Sequence, residues 1–209
     1  MTNKPTRLLI TPSLLNSWLY IDLCRASVKE AETDTICLED KQDEASKKAF
    51  EAFKTTLQRI KTPPTPAMQR GIDFEDLCCK GNQPQVSPII EGGAFQIVGT
   101  KEVTVQDVDF LMYGRLDVLK NGIIYDIKRV SQYKAQKYAH SAQHGFYMDL
   151  FENATQFTYL AYDNYDKLHK ETYYRDQYKP TTALISEFIG FLKQSNLWDT
   201  YVELWTSKH

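Results

Sequence analysis

The chain of 209 residues lacks any apolar run approaching the roughly 18 residues that a membrane helix requires. Its first 15 residues carry Lys4 and Arg7 but no continuous apolar stretch like that of a secretory signal. A soluble, cytoplasmic protein with no membrane partner is therefore expected. Cysteine is sparse: Cys24, Cys37, Cys78 and Cys79, with no Cys-x-x-Cys pair. That argues against a zinc ribbon, and free thiols are the expectation in a reducing cytosol. The four histidines, His140, His144, His169 and His209, show no His-Glu-x-x-His spacing. Internal repeats and low-complexity segments are absent as well. So is any large charge excess: 25 basic against 27 acidic residues leave a net charge of −2, a total that by itself argues against a general polyanion binder.

What is present suits a folded domain. Hydrophobic residues make up 42% and charged residues 25%, which excludes wholesale disorder, and the length is enough to bury a core. Thr11-Pro12 reads as a helix start, with Thr11 as N-cap and Pro12 at the first helical position. Leu14, Leu15, Trp18, Leu19 and Leu23 follow at helical spacing. The stretch Glu30 to Glu51 holds eight acids against three lysines, and its second half begins a helix from Gln42 to Ile60 with Ala45, Ala49, Phe53, Leu57 and Ile60 on one side. Residues 61–66, rich in proline, form a stiff connector. A short helix follows from Ala67 to about Lys80, then a loop from Gly81 to Gly93. Strands are expected over Ala94–Val105, Asp109–Leu119, Ile123–Val130, Gln156–Tyr162 and Lys170–Tyr174. Helices are expected over Tyr133–Phe151, Thr182–Lys193 and Leu197–Trp205. This order predicts an α+β or mixed α/β fold. It divides as a single domain into an N-terminal helical region and connector (1–66), a core (67–163) and a C-terminal strand with helices (164–209).

The most informative stretch runs from Tyr113 to Val130. Asn121-Gly122 between two β-rich runs is the strongest short hairpin signal, a two-residue type I′ turn. It fixes the register: opposed residues have numbers that sum to 243, so Asp117 faces Asp126 and Arg115 faces Lys128. Two carboxylates opposite each other are destabilising unless something compensates. The alternation assigns Leu116, Val118, Ile123, Tyr125 and Ile127 to the other, apolar face. One reading is a solvent-facing edge hairpin with crossed salt bridges. The other is a divalent-cation site, because Mg²⁺ and similar hard cations take carboxylate oxygens and retain waters for a substrate phosphate.

Gly114-x-x-Asp117 followed across a hairpin by Asp126-Ile127-Lys128 resembles the core signature of the PD-(D/E)XK nucleases, most closely the branch of RecB-like domains and phage-type exonucleases. Upstream, Gly71-Ile-Asp-Phe-Glu75 resembles that family's first motif. Many RecB-like members carry a His there; of Phe74 and Glu75 only the latter can bind a metal. Downstream, Gln143-His-Gly-Phe-Tyr147 is similar to the Gln-x-x-x-Tyr motif, whose spacing places both side chains on one helix face. The opening Leu9 to Ser17 is similar to the Ser-rich helix start of RecB-like domains. The resemblance implies a restriction-endonuclease-like core, a central mixed β-sheet flanked by helices with an extra N-terminal helical region. It implies Mg²⁺ or Mn²⁺ held by Glu75, Asp117, Asp126 and the Ile127 carbonyl, with Lys128 acting on water and phosphate. Gln143 and Tyr147 would orient the strand or the groups behind the site. Hydrolysis of DNA to a 5′-phosphate and a 3′-hydroxyl is implied, in recombination, repair or phage DNA processing. No Cys follows Tyr147, which excludes the iron–sulfur cluster of some relatives.

The local charge suits that reading. Arg115 to His140 holds six Lys/Arg against two Asp. Arg129, Lys134 and Lys137 are candidates for backbone phosphates, and Tyr133 and Tyr138 for stacking on unpaired bases. A solvated basic helix face is the plainer alternative. His140 and His144 are read as satisfied histidines, not ligands. DNA is the expected partner, with a recombination or single-strand-binding protein as a further candidate. The compact chain favours an exonuclease over a site-specific endonuclease. The competing functional reading is an inactive nuclease fold that binds nucleic acid or a protein.

Overall fold

The computed structural model describes residues 7–26 and 35–207. Residues 30–34, the start of the acidic run, lie outside them. The architecture is the expected mixed α/β one, a six-stranded mixed sheet with helices on both faces.

A short first strand, β1 (Leu8–Ile10), leads into α1 (Pro12–Ala26). Thr11 caps this helix as anticipated, its Oγ1 accepting from Leu14 N at 3.3 Å. The buried stripe is Leu14, Leu15, Trp18 and Ile21, whereas Leu23 lies at the surface. Helix α2 (Thr35–Leu57) buries Ser46, Ala49, Phe53 and Leu57. Ala45 and Ile60, expected on that face, are exposed. The helix stops at Leu57 and Arg59 turns left-handed at φ 56°, so Ile60 falls outside the helical period. Thr65 caps α3 (Pro66–Cys79), with Pro66 at the permissive first turn. The stretch expected to be a plain loop contains a single helical turn, α4 (Ser87–Ile90).

The long antiparallel pair β2 (Ala94–Val105) and β3 (Val108–Lys120) turns through Gln106 and Asp107, both with positive φ. Then β3 turns through Asn121 (φ 51°) and Gly122 (φ 76°) into β4 (Ile123–Arg129), the type I′ hairpin read from the sequence. From β4 the chain crosses through α5 (Ala142–Leu150) to β5 (Gln156–Tyr162), which pairs with β4 in parallel; β6 (Leu168–Tyr174) returns antiparallel. Helices α6 (Thr181–Gln194) and α7 (Trp198–Trp205) close the chain.

Helices α1, α2, α5, α6 and α7 share one large core on one face of the sheet. On the other face, Phe74 and Cys78 of α3, Val86 just before α4 and Ile90 at its end pack on Val118, Ile127, Leu160 and Tyr162. The helix expected from Tyr133 starts only at Ala142. Residues 131–141 instead make successive tight turns, with Gln136 at φ 59°, until the Ser141 hydroxyl accepts from Gln143 N at 3.2 Å and begins α5.

Candidate active site

The site arises from an unusual sharing of one strand edge. One edge of β3 pairs with β2 along nearly its whole length. The other edge is divided: β1 takes Phe110 to Met112, and β4 takes Val118 to Lys120. Among the described residues, none pairs as a strand with 113–117 on that side. Three of the predicted hairpin pairs form, Lys120 with Ile123, Leu119 with Ile124 and Val118 with Tyr125. The ladder then stops, and neither Asp117–Asp126 nor Arg115–Lys128 is a strand pair.

Side chains satisfy the backbone groups that the missing ladder would have served. Asp117 Oδ2 accepts from Ile127 N at 2.8 Å, so a carboxylate stands where a backbone carbonyl would be. The Arg115 carbonyl accepts from the Tyr147 hydroxyl at 2.8 Å. That approach needs Gly114, because a Cβ there would lie 2.7 Å from Tyr147 Cε1. At the same level Gln96 of β2 adopts φ 53°, and the β2–β3 ladder skips Gln96 and Asp117. The pleat is interrupted there. Leu116 packs into the large core while Val118 packs beneath α3, and the expected single apolar face carrying both is not formed.

Into this gap the fold brings residues from four elements. Asp126 is 4% exposed. Its Oδ1 accepts from Gln143 Nε2 at 3.1 Å, and Oδ2 lies 2.6 Å from Lys128 Nζ without receiving a well-aligned hydrogen bond. Gln143 and Tyr147, one helical turn apart on α5, both reach the gap. From the opposite side α3 presents Glu75, whose Oε1 accepts from Gln96 Nε2. Gly71, one turn earlier, has open space where a Cβ would stand.

The electrostatics follow from burying acids close together. Burial and the neighbouring Asp126 carboxylate push Asp117 up to about 8. Glu75 is raised chiefly by burial, against the stabilising Gln96 contact. Burial alone would lower Lys128, but the Asp126 and Asp117 carboxylates outweigh it and hold the ammonium charged. Lys128 thus partly neutralises the pair.

These groups fit a hard divalent cation. The donors are all oxygens, one buried carboxylate oxygen lacks an aligned donor, and the acids repel one another in a way that a cation would relieve. Among the described residues no three His, Cys, Asp or Glu side chains stand as a preassembled cage. Asp117 and Asp126 act on each other electrostatically, and Glu75 is tied to Gln96.

The remaining candidates lie elsewhere. Arg129 points to the α3 side, donating to the carbonyls of Tyr162 and Asp163 while its guanidinium lies 5.6 Å from the Phe74 ring centroid and 5.0 Å from that of Tyr162. Lys120 is tied to the Ile89 carbonyl at 2.8 Å. Arg115, Lys134 and Lys137 are exposed, the two lysines on the turns of 131–141 and not on a helix. The Tyr133 ring stacks on His169 (centroids 4.2 Å apart) and the Tyr138 ring on Tyr159 (4.1 Å), so each has one ring face already covered. His144 is a core residue, 3% exposed and stacked on Tyr173; burial pushes it down to about 4, and its Nδ1 meets the Tyr159 hydroxyl at 3.3 Å. His140 is exposed. Sequence reasoning missed Gln96, whose only signal would have been a polar residue with left-handed backbone inside a strand, a feature with no sequence mark. It also missed β1, too short to show a period.

No helix among the described residues is long and apolar enough to cross a membrane. No family model matches the chain, and no curated protein matches it. Among solved structures it is similar to the crystal structure of SSO0001, with 15% identity and a TM-score of 0.53 over 92% of this chain and 80% of that one. A second similarity, to a protein of Eubacterium rectale provisionally designated an exonuclease, has 10% identity and a TM-score of 0.37 over 81% of this chain and 68% of that one. At such identities the likeness to SSO0001 is one of fold.

Proposed function

We propose that the protein is a Mg²⁺- or Mn²⁺-dependent nuclease that hydrolyses DNA phosphodiester bonds, acting from ends as an exonuclease. The observation that carries this reading is the meeting of Asp117, Asp126 and Lys128 in the gap between β3 and β4, with Asp126 Oδ2 2.6 Å from the lysine. A salt bridge built for stability alone would not need a second, half-buried acid whose carboxyl is pushed up by burial first and by Asp126 second.

Asp117 and Asp126 would hold the cation, with the Ile127 carbonyl and a Glu75 released from Gln96 completing its oxygens. A bound Mg²⁺ or Mn²⁺ neutralises phosphate charge and makes an attacking water more acidic. Lys128, kept charged by its carboxylate neighbours, orients that water and stabilises the negative charge that grows on the phosphate oxygens. Gln143 fixes the Asp126 carboxylate, and Tyr147 fixes the β3 backbone at Arg115. Water oxygen bonds to phosphorus, the bond from phosphorus to the 3′ oxygen breaks, and that oxygen leaves with a proton as the 3′-hydroxyl. Arg115, Lys134 and Lys137, all exposed, are the candidates to meet backbone phosphates.

Digestion of end-labelled linear and circular DNA with Mn²⁺ tests the reading. Linear DNA should be degraded and circular DNA spared, and Asp117→Ala, Asp126→Ala or Lys128→Ala should each abolish activity. Hydrolysis by the triple variant at the wild-type rate would sink the assignment. DNA binding without turnover at any Mn²⁺ concentration would favour an inactive nucleic-acid-binding module.

A further inference from the structure

Residues 131–141 lead from β4 into α5, and one carboxylate ties two points of them to β6. Glu171 of β6 accepts from the Tyr133 hydroxyl through Oε2 at 2.8 Å and from Tyr138 N through Oε1 at 3.2 Å. The Tyr173 hydroxyl also donates to Oε1. Three donors from two separate elements therefore converge on a single acid.

The consequence is a defined place for Tyr138. Its ring stacks on Tyr159 with centroids 4.1 Å apart and planes 14° apart. Tyr159 is the partner of Asp126 in the β4–β5 ladder, and paired residues project to the same face of a sheet. Stacking on Tyr159 thus sets Tyr138 beside the Asp126 side chain and its ion pair with Lys128. The Tyr138 hydroxyl is buried, yet among the described residues no group bonds it. A buried hydroxyl without a partner costs about 1–3 kcal/mol, and native structures seldom keep one without a use.

We propose that Tyr138 is a further residue of this site, its hydroxyl donating a hydrogen bond to a non-bridging oxygen of the bound phosphodiester, with Glu171 as the positioning residue that holds it there. The proposal rests on the nuclease reading above. A phosphodiester oxygen only accepts hydrogen bonds, so the group facing it must remain a donor. Burial first, with the nearby Asp126 carboxylate adding to it and Lys128 opposing, pushes the Tyr138 phenol up to about 12. It is therefore an O–H at any pH at which the enzyme would work. The ring that the sequence suggested as a stacking surface for bases is on this view the support, and the hydroxyl is the contact.

Tyr138→Phe keeps the stack and removes only the hydroxyl. On linear DNA with Mn²⁺, kcat/KM should fall about 10- to 100-fold, as for loss of one hydrogen bond to a charged group. The melting temperature should be unchanged or higher, because no protein partner is lost. Glu171→Ala should lower the rate in the wild type but not further in Tyr138→Phe, since both would act through one hydroxyl. An active wild type with an equally active Tyr138→Phe overturns the proposal and leaves the nuclease reading intact. A Tyr138→Phe that is less stable as well as slower also overturns it, by showing a structural role. Equal losses from Glu171→Ala in both backgrounds overturn the positioning role. A wild type without hydrolysis sinks the nuclease reading and this proposal together.

Discussion

Asp117→Asn tests whether the gap between β3 and β4 holds a carboxyl at a cost, set by burial first and by repulsion from Asp126 second. The substitution keeps the side-chain shape and an oxygen for Ile127 N–H but removes the charge. Raising a carboxyl from 3.8 to about 8 corresponds, at about 1.4 kcal/mol per pH unit, to at most about 6 kcal/mol of destabilisation once the group is ionised. Part of that belongs jointly to Asp126, so about 2–3 kcal/mol is expected for the single change. Between about pH 4 and 8 the folded wild type retains a proton that the unfolded chain has lost. Its stability therefore falls as pH rises through that window, and the Asn variant escapes this loss. His144, pushed down to about 4 by burial, acts oppositely: its contribution is lost as pH falls from about 6.5 to 4. Both proteins carry it, so it cancels in their difference. For a chain of this length 1 kcal/mol moves Tm by roughly 2–4 °C. In a chelator at pH 8 the Asn variant should melt about 5–10 °C above the wild type, and most of that gap should close by pH 5. Added Mn²⁺ should raise the wild type toward the variant and leave the variant nearly unmoved. Thermal melts and urea titrations at pH 5, 6.5 and 8 decide the matter. An Asn variant no more stable at pH 8, or an equal gap at pH 5, would refute the reasoning.

Three further predictions concern the frame of the site. Gly114→Ala places a Cβ 2.7 Å from Tyr147 Cε1 and should cost about 1–3 kcal/mol in urea denaturation as an overpacked contact, with loss of hydrolysis in parallel. Tyr147→Phe removes the donor to the Arg115 carbonyl and should cost about 1–3 kcal/mol by leaving that acceptor unpaired, which urea titration would measure. Arg175 donates to the carbonyls of Met148 at 2.7 Å, Glu152 at 3.1 Å and Ala154 at 2.6 Å at the end of α5. Arg175→Ala should therefore cost about 1–2 kcal/mol and increase hydrogen exchange in the last turn of α5.

Local rules fixed much of this molecule. Asn121-Gly122 allowed a two-residue turn of one hand, and that turn set the register of the first three pairs. Thr11-Pro12 and Thr65-Pro66 started helices because their backbone geometry and side-chain oxygens suit the first turn. The spacing of Gln143 and Tyr147 put both on one face of α5. These features depend on residues within a few positions of each other, so sequence carries them directly. The failures have a common physical cause. The helix expected from Tyr133 had the right composition, but tertiary contacts outweighed propensity: Tyr133 on His169, Tyr138 on Tyr159 and Glu171 holding both. The pairing of Asp117 with Asp126 was an extrapolation of local register. Only the fold could show that β1 and β4 divide one edge of β3, leaving residues 113–117 for side chains to complete. The sequence by itself determined which acids and which lysine come near one another. The tertiary structure decided that they meet in a break in the sheet, where hydrogen bonds lost by the backbone are replaced by the Asp117 carboxylate and the Tyr147 phenol, and where burial raises Asp117 and Glu75.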